Sequence, residues 1–432
     1  MSENGVEVSK NWKRPFFQVW SGQAFSLFGS QLVQFALIWY LTKQTGSATV
    51  LATATLVGML PQILLGPIAG SFVDRNNRRR IMILADLGIA LSTLVLVALF
   101  ALGWVQIWHI YAVTLLRSLG QAFHAPAFSA STSLMVPKEH LARIQGINQM
   151  LNGGLNIVSA PLGALLLELL PMQGVLSVDI LTALIAVSTV LPVAIPQPQR
   201  ERNSADGKPI GFWADFREGF RYVLAWPGML IIIVMATLIN FLLTPASALT
   251  PLLITEYFGK GVIELGWFEG VTGAGVILGG LLLSAWGGFK KRILTTFAGL
   301  IFLGLPFGVI GFLPADGFVP SLALMFIAGF MIPIVNGTLG AVMQASVDPS
   351  RQGRVFTLAG SLAQGMAPLG LVIAGPIADL FGIQSWFIVG GLLCAAMGVV
   401  GFFIPSAMNI EAGSPKSAVK EISEVTEVIK VT

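Results

Sequence analysis

Arg117, Gln121 and His124 stand at i, i+4 and i+7 in a run, about residues 107–130, that is otherwise largely apolar or small. That spacing puts all three side chains on one face of a helix. A guanidinium among apolar residues is costly unless something binds it, so such a residue marks an ion or substrate path. No acid in the first or fourth apolar run is an obvious partner. Arg117 is therefore expected to bond to amides, hydroxyls and carbonyls, chiefly in the first run. That run carries Gln23, Ser26, Ser30 and Gln34 along one stripe. The fifth has Asn148, Asn152, Asn156 and Ser159, and the seventh has Thr237, Asn240, Thr244 and Ser247. The plainer reading of these stripes is interhelical hydrogen bonding, about 0.6–2 kcal/mol per bond. His124 reads either as a satisfied packing histidine or as a proton-responsive group.

Acids within the apolar runs are few. Glu269 lies one or two turns into the eighth, and Asp86 two turns past a basic hinge in the third. Asp179, Glu168 and Asp379 fall near the ends of the sixth, fifth and eleventh. A carboxylate that loads and unloads a proton near neutral pH needs partial burial to raise its pKa. Glu269 is the first candidate for that role and Asp179 the second. Asp86 is read as capping or reaching the interface. The sequence has no Walker loop, metal triad or nucleophile elbow, so it is not read as an enzyme, and no cofactor or metal is expected. Its single cysteine, Cys394, excludes an intrachain disulfide.

The elements that position these residues follow from composition. Of 432 residues, 55% are hydrophobic and 11% charged, against roughly 25% charged in a soluble domain. Lipid must be the solvent, and a spanning helix takes about 20 apolar residues. The runs are continuous rather than alternating, so they read as helices. Twelve are expected, at about 16–42, 49–73, 81–103, 107–130, 144–170, 174–195, 228–252, 263–286, 293–313, 319–343, 355–381 and 384–405. Every Lys and Arg except Lys43, Lys260 and Arg117 falls outside these runs on one side. By the positive-inside rule both termini are cytoplasmic. The longest hydrophilic interruption, Pro196 to Trp226, separates six spans from six. Its second half, with Phe212, Phe216, Phe220 and Val223 on one face, reads as an amphipathic interfacial helix. The expected layout is a cytoplasmic N-terminus (1–15), a six-helix bundle (16–195), a linker (196–227), a second six-helix bundle (228–405) and a cytoplasmic tail (406–432), disordered or loosely helical. Ala160-Pro161-Leu162-Gly163 recurs as Ala367-Pro368-Leu369-Gly370, and the basic hinge ending Arg80-Ile81 recurs as Lys290-Lys291-Arg292-Ile293. Two echoes at nearly one offset imply duplication, with a site between the halves opened alternately to each side.

Several strings carry a family resemblance. Gly70-Ser71-Phe72-Val73-Asp74-Arg75-Asn76-Asn77-Arg78-Arg79 resembles the hinge motif between the second and third helices of the major facilitator superfamily, with Asn77 where that family usually has glycine. Leu116-Arg117-Ser118-Leu119-Gly120-Gln121-Ala122 resembles its fourth-helix motif, with the Gly-Gln order reversed. Ala160-Pro161-Leu162-Gly163 is a remnant of the antiporter signature. Within the superfamily the chain looks most like the macrolide-efflux, drug:proton antiporter branch, through Trp20-Ser21-Gly22-Gln23-Ala24, Thr45-Gly46-Ser47-Ala48, Phe123-His124-Ala125-Pro126-Ala127, Gly353-Arg354-Val355-Phe356 and Gly375-Pro376-Ile377-Ala378-Asp379. The resemblance implies an all-α integral membrane protein of twelve helices in two pseudo-symmetric bundles, in a bacterial plasma (inner) membrane. It implies export of a small amphiphilic, macrolide-like substrate by proton antiport, from a monomer surrounded by lipid and without nucleic acid. The implied cavity is lined by Gln23, Gln34, Phe35, Arg117, Gln121, His124, Asn240, Phe241, Phe330 and Asn336. Gly70, Asp74, Arg75, Arg78 and Arg79 form an expected latch where the halves meet. A lipid or metabolite carrier of the same design is the alternative, and a non-transporting receptor or scaffold a remote one.

Overall fold

The computed structural model describes residues 11–197, 220–347 and 352–412. Twelve long helices run through them: α1 (Lys13–Thr45), α2 (Ala48–Arg75), α3 (Arg78–Ala101), α4 (Ile107–Met135), α5 (Lys138–Leu169), α6 (Met172–Val190), α7 (Pro227–Leu252), α8 (Val262–Trp286), α9 (Arg292–Phe312), α10 (Phe318–Ser346), α11 (Gln352–Phe381) and α12 (Ile383–Phe402). A π-helical turn, Leu253–Tyr257, continues α7. Eleven helices are long and apolar enough to cross a membrane. The exception, α4, has ample length at 29 residues, but Arg117, Ser118, Gln121, His124 and the hydroxyls from Ser129 to Ser133 lower its hydropathy. The expectation of twelve spans therefore meets twelve long helices, of which α4 is too polar to be recognised by hydropathy.

Local chemistry sets the joints. Gly46 ends α1 in the left-handed region, φ 57°, with its N–H on the Thr42 carbonyl, a conformation that costs glycine least. Ser47 then caps α2 by accepting from the Val50 N–H. At the basic hinge Asn77 caps α3, its Oδ1 accepting the Arg80 N–H at 3.1 Å. A glycine there would supply no such acceptor.

The chain forms two compact units, residues 1–203 with 250–270 and residues 204–249 with 271–432. Relative to the expected halves, the end of α7, the π turn and the start of α8 group with the first unit. In that unit α1 packs on α6, α2 on α4, and α3 on both α4 and α6. Beneath the basic hinge Trp12, Phe16, Val73, Met82, Met135 and Val190 bury one another. In the second unit α9 is the interior helix, packed between α10 and α12. Gly391 of α12 meets Gly304 and Gly308 of α9 so closely that a Cβ at Gly391 or Gly304 would strike the opposite backbone, the close approach that small residues permit in lipid.

The two copies of Ala-Pro-Leu-Gly occupy matching contacts. Gly163 on α5 lies against the Phe35 ring of α1, and Gly370 on α11 lies against the Phe241 carbonyl of α7. The repeat is thus structural as well as textual. Of the linker helix only Phe220–Leu224 is described, and it is helical; the remainder lies outside the described residues. The start of the expected tail is helical, and its remainder lies outside the described residues. Pro405–Met408 forms a short helix, α13, and the Glu411 carboxylate accepts the Ile293 N–H at 2.7 Å, so a negative group caps the positive end of α9.

Candidate functional site

Four helices of the first unit converge on Arg117, which is 7% exposed. Its guanidinium pairs with the carboxylate of Asp179 on α6, itself 1% exposed. Thr93 of α3 donates to Asp179 Oδ2 at 2.8 Å, and Ser30 of α1 donates to Oδ1 at 3.0 Å. Arg117 also reaches the Thr93 hydroxyl. A buried ion pair survives only when its remaining lone pairs find donors, and the two hydroxyls provide them. Gly29, whose added Cβ would strike Thr182 and the Asp179 backbone, lets α1 come close enough for Ser30 to reach.

Two expectations are corrected here. Arg117 is satisfied chiefly by an acid, not by amides and carbonyls of the first helix. Asp179 is the eighth residue of a helix starting at Met172, two turns in and buried rather than near an end. The pairing was hidden because α4 and α6 are not consecutive. The available signal was that Asp179 is the only ionisable residue in α6.

A second polar tier lies beside the first. Asp86 of α3, 2% exposed, accepts from Gln23 Nε2 of α1 at 3.0 Å. His124 of α4, 4% exposed, brings Nε2 to 3.4 Å from Asp86 Oδ1, within ion-pair range but without hydrogen-bond geometry. Gln23 Oε1 is buried with no hydrogen-bond partner among the described residues. The reading of Asp86 as an interfacial cap is corrected: burial on all sides keeps it from water. The tiers are in register. Gln23 and Ser30, Asp86 and Thr93, and Arg117 and His124 are each seven residues apart, two helical turns or about 10 Å. Gly22 and Gly29 repeat the same interval against Thr189 and Thr182 of α6.

A cavity of about 320 Å³ opens against the first tier. Ser30, Gln31, Gln34, Gln62, Arg117 and Gln121 give it polar walls, and Leu27, Met59 and Ile89 an apolar share. Its volume falls in the range of roughly 300–1,000 Å³ usual for small-molecule sites. Of the residues expected to line a cavity, Gln34, Arg117 and Gln121 line this one. Gln23 and His124 lie in the adjacent tier. Phe35 packs on Gly163. In the second unit Asn240 donates to the Ala236 carbonyl of its own helix at 3.0 Å. The Phe241 ring lies 6.2 Å from that of Trp386. Phe330 lends its backbone to Gly275 and Gly279, and Asn336 is exposed. Glu269 is half-buried, and the neighbouring Gly270 faces the Pro161 ring. Among the described residues no three His, Cys, Asp or Glu gather as a metal would require.

At the hinge, Arg78 is 6% exposed and donates to the Ala130 carbonyl of α4 at 2.9 Å, while its own N–H donates to Gln197 Oε1 at 3.2 Å. Arg79 binds the Val190 and Leu191 carbonyls at the end of α6, where a cation meets the negative end of the helix. Arg75 and Arg80 are exposed. At Gly70 an added Cβ would meet nothing within 4 Å. The Asp74 side chain lies outside the described residues. The carbonyl contacts of Arg78 and Arg79 are structural detail that a charge count could not supply.

The family model described as Major Facilitator Superfamily matches residues 19–370. The chain is 36% identical over 395 residues to Macrolide efflux protein A of Streptococcus pyogenes, covering 91% of this chain and 97% of that one. It is 28% identical to the multidrug efflux pump Tap of Mycolicibacterium fortuitum, over 89% of this chain and 94% of that protein. Among solved structures, a bacterial homologue of the human lysosomal transporter Spinster aligns with a TM-score of 0.65 at 17% identity, over 94% of this chain and 98% of that chain. With its apolar helices, its duplicated hinge and its buried polar tiers, this chain belongs to the Major Facilitator Superfamily of membrane transporters.

Proposed function

We propose that the chain exports macrolide-like amphiphilic compounds from a bacterial cell by proton antiport, through alternating access. The observation that carries this reading is likeness along nearly the full length to a macrolide efflux protein. The first-unit cavity, lined by amides, Arg117 and apolar residues, suits a ligand having both polar oxygens and apolar surface. A ligand shifts an alternating-access equilibrium only by its differential affinity for the two states, and a buried guanidinium within reach of the cavity offers one source of that difference. Both termini are cytoplasmic in this reading, the protein works as a monomer, and the hinge around Asp74 latches one conformational state. Glu269 is proposed to contribute to proton coupling.

Efflux of erythromycin from a pump-deficient host tests the reading. Expression of this chain lowers cell-associated drug, and a protonophore abolishes the effect. Efflux that persists after the gradient collapses refutes proton antiport, and a host no less sensitive to macrolides than its control refutes the substrate class. Glu269→Gln flattens the pH dependence of efflux if Glu269 takes part.

A further inference from the structure

Among the described residues of the first unit, Asp86 and Asp179 are the acids that are almost wholly buried, and they are balanced differently. Asp179 has a permanent counter-charge in Arg117. Among the described residues the basic group beside Asp86 is His124, at 3.4 Å, and an imidazole is a cation only when both its ring nitrogens carry protons. The Asp86–His124 pair is therefore electrically neutral with one proton on it and a bare buried anion without. An uncompensated charge out of water is expensive, so the two states of the pair differ in cost.

The neighbours leave that assignment unshared. From α1 the facing group is the neutral Gln23. From α6 the nearest ionisable group is Asp179, one tier away and already paired. α2 has no ionisable residue from Ala48 to Val73, and α5 has none from Ile144 to Leu167. On α4 the next charge is Arg117, seven residues off. Gln23 Oε1 and His124 Nε2 are buried and have no hydrogen-bond partner among the described residues. One acceptor and one nitrogen stand idle beside a carboxylate, the arrangement of a site whose hydrogen bonding is completed when a proton arrives.

The pair is also next to the cavity. Leu27, Ile89 and Gln121 line the cavity, and each lies three or four residues, one helical turn, from Gln23, Asp86 and His124 respectively. One helical turn along each of the three helices separates the two.

We propose that the Asp86–His124 pair, oriented by Gln23, is a site that carries the exchanged proton, alongside the contribution proposed for Glu269. This rests on the antiport reading above. The proton comes from water and returns to water, with no other bond made or broken. A ligand in the cavity competes by polarising or opening the turn at Gln121, so that drug and proton do not occupy neighbouring sites together.

The test uses the full chain in proteoliposomes with radiolabelled erythromycin. Two modes are compared: accumulation driven by an imposed pH gradient, and erythromycin–erythromycin counterflow, which moves no net proton. Wild-type protein accumulates drug only with the gradient. Asp86→Asn, close in shape and still able to accept from Gln23, keeps counterflow and loses gradient-driven accumulation. His124→Gln is the second variant, and it behaves in the same way. A role in packing alone would lower both modes together. Wild-type accumulation that ignores the gradient overturns the antiport reading and the pair with it. Wild-type coupling that survives in either variant overturns the pair alone, as does equal loss of both modes in both.

Discussion

The interiors of the two units differ more than their helix plans do. The first unit buries Arg78, Asp86, Arg117, His124 and Asp179. Among the described residues of the second, the buried polar groups are hydroxyls: Thr295, Thr296, Ser321, Thr338 and Ser346. Where α3 and α4 set Asp86 against His124, the helices next in the repeat, α9 and α10, set Thr296 against Thr338 at 2.8 Å. The Ala-Pro-Leu-Gly contacts survive in both. Duplication has kept the joints and let the chemistry diverge. The first unit holds the charges, and the second holds its shape through glycines and hydroxyls that need no proton.

Breaking the first unit's ion pair on one side has the largest expected effect. Arg117→Met strands Asp179 in an apolar interior, at a cost of about 3–5 kcal/mol. Thermal unfolding in detergent shows a marked fall in midpoint, and Arg117→Met with Asp179→Leu recovers much of it. A double variant no more stable than the single one removes the ion pair as the reason for burying either charge. The second unit answers to volume. Gly391→Ala pushes α12 away from α9, an overpacking penalty of about 1–3 kcal/mol, with no change in the pH dependence of transport. A pH profile that moves in this variant blurs the division between the units. The smallest effect is expected of Thr338→Val, which removes the hydroxyl pairing with Thr296 and costs about 0.6 kcal/mol. A loss as large as that of Arg117→Met would show that these hydroxyls carry more than packing.

Much of the architecture was legible because lipid imposes it: a long apolar run between basic loops has few other fates. Gln34, Arg117 and Gln121 were singled out by helical periodicity, which reports a face without naming what the face meets. The Arg117–Asp179 pair escaped because it joins α4 to α6 across chain separation, and no stripe on either helix encodes that distance. Asp86 was misjudged for a related reason. Two turns from a charged hinge looks near water when counted along one helix, but α1 and α4 close over it. The interval of seven shared by α1, α3 and α4 was written in the sequence all along. It becomes meaningful only when the three helices are laid side by side.

The hinge arginines have a consequence for how such a chain evolves. Arg78 and Arg79 hold the ends of α4 and α6 by their carbonyls, while belonging to the basic cluster that biases insertion. A lineage drifting toward neutral residues here, the simplest route to an inverted protein, would lose two helix fastenings as it lost the bias. Orientation and assembly are thus inherited as one trait, and selection on either guards the other.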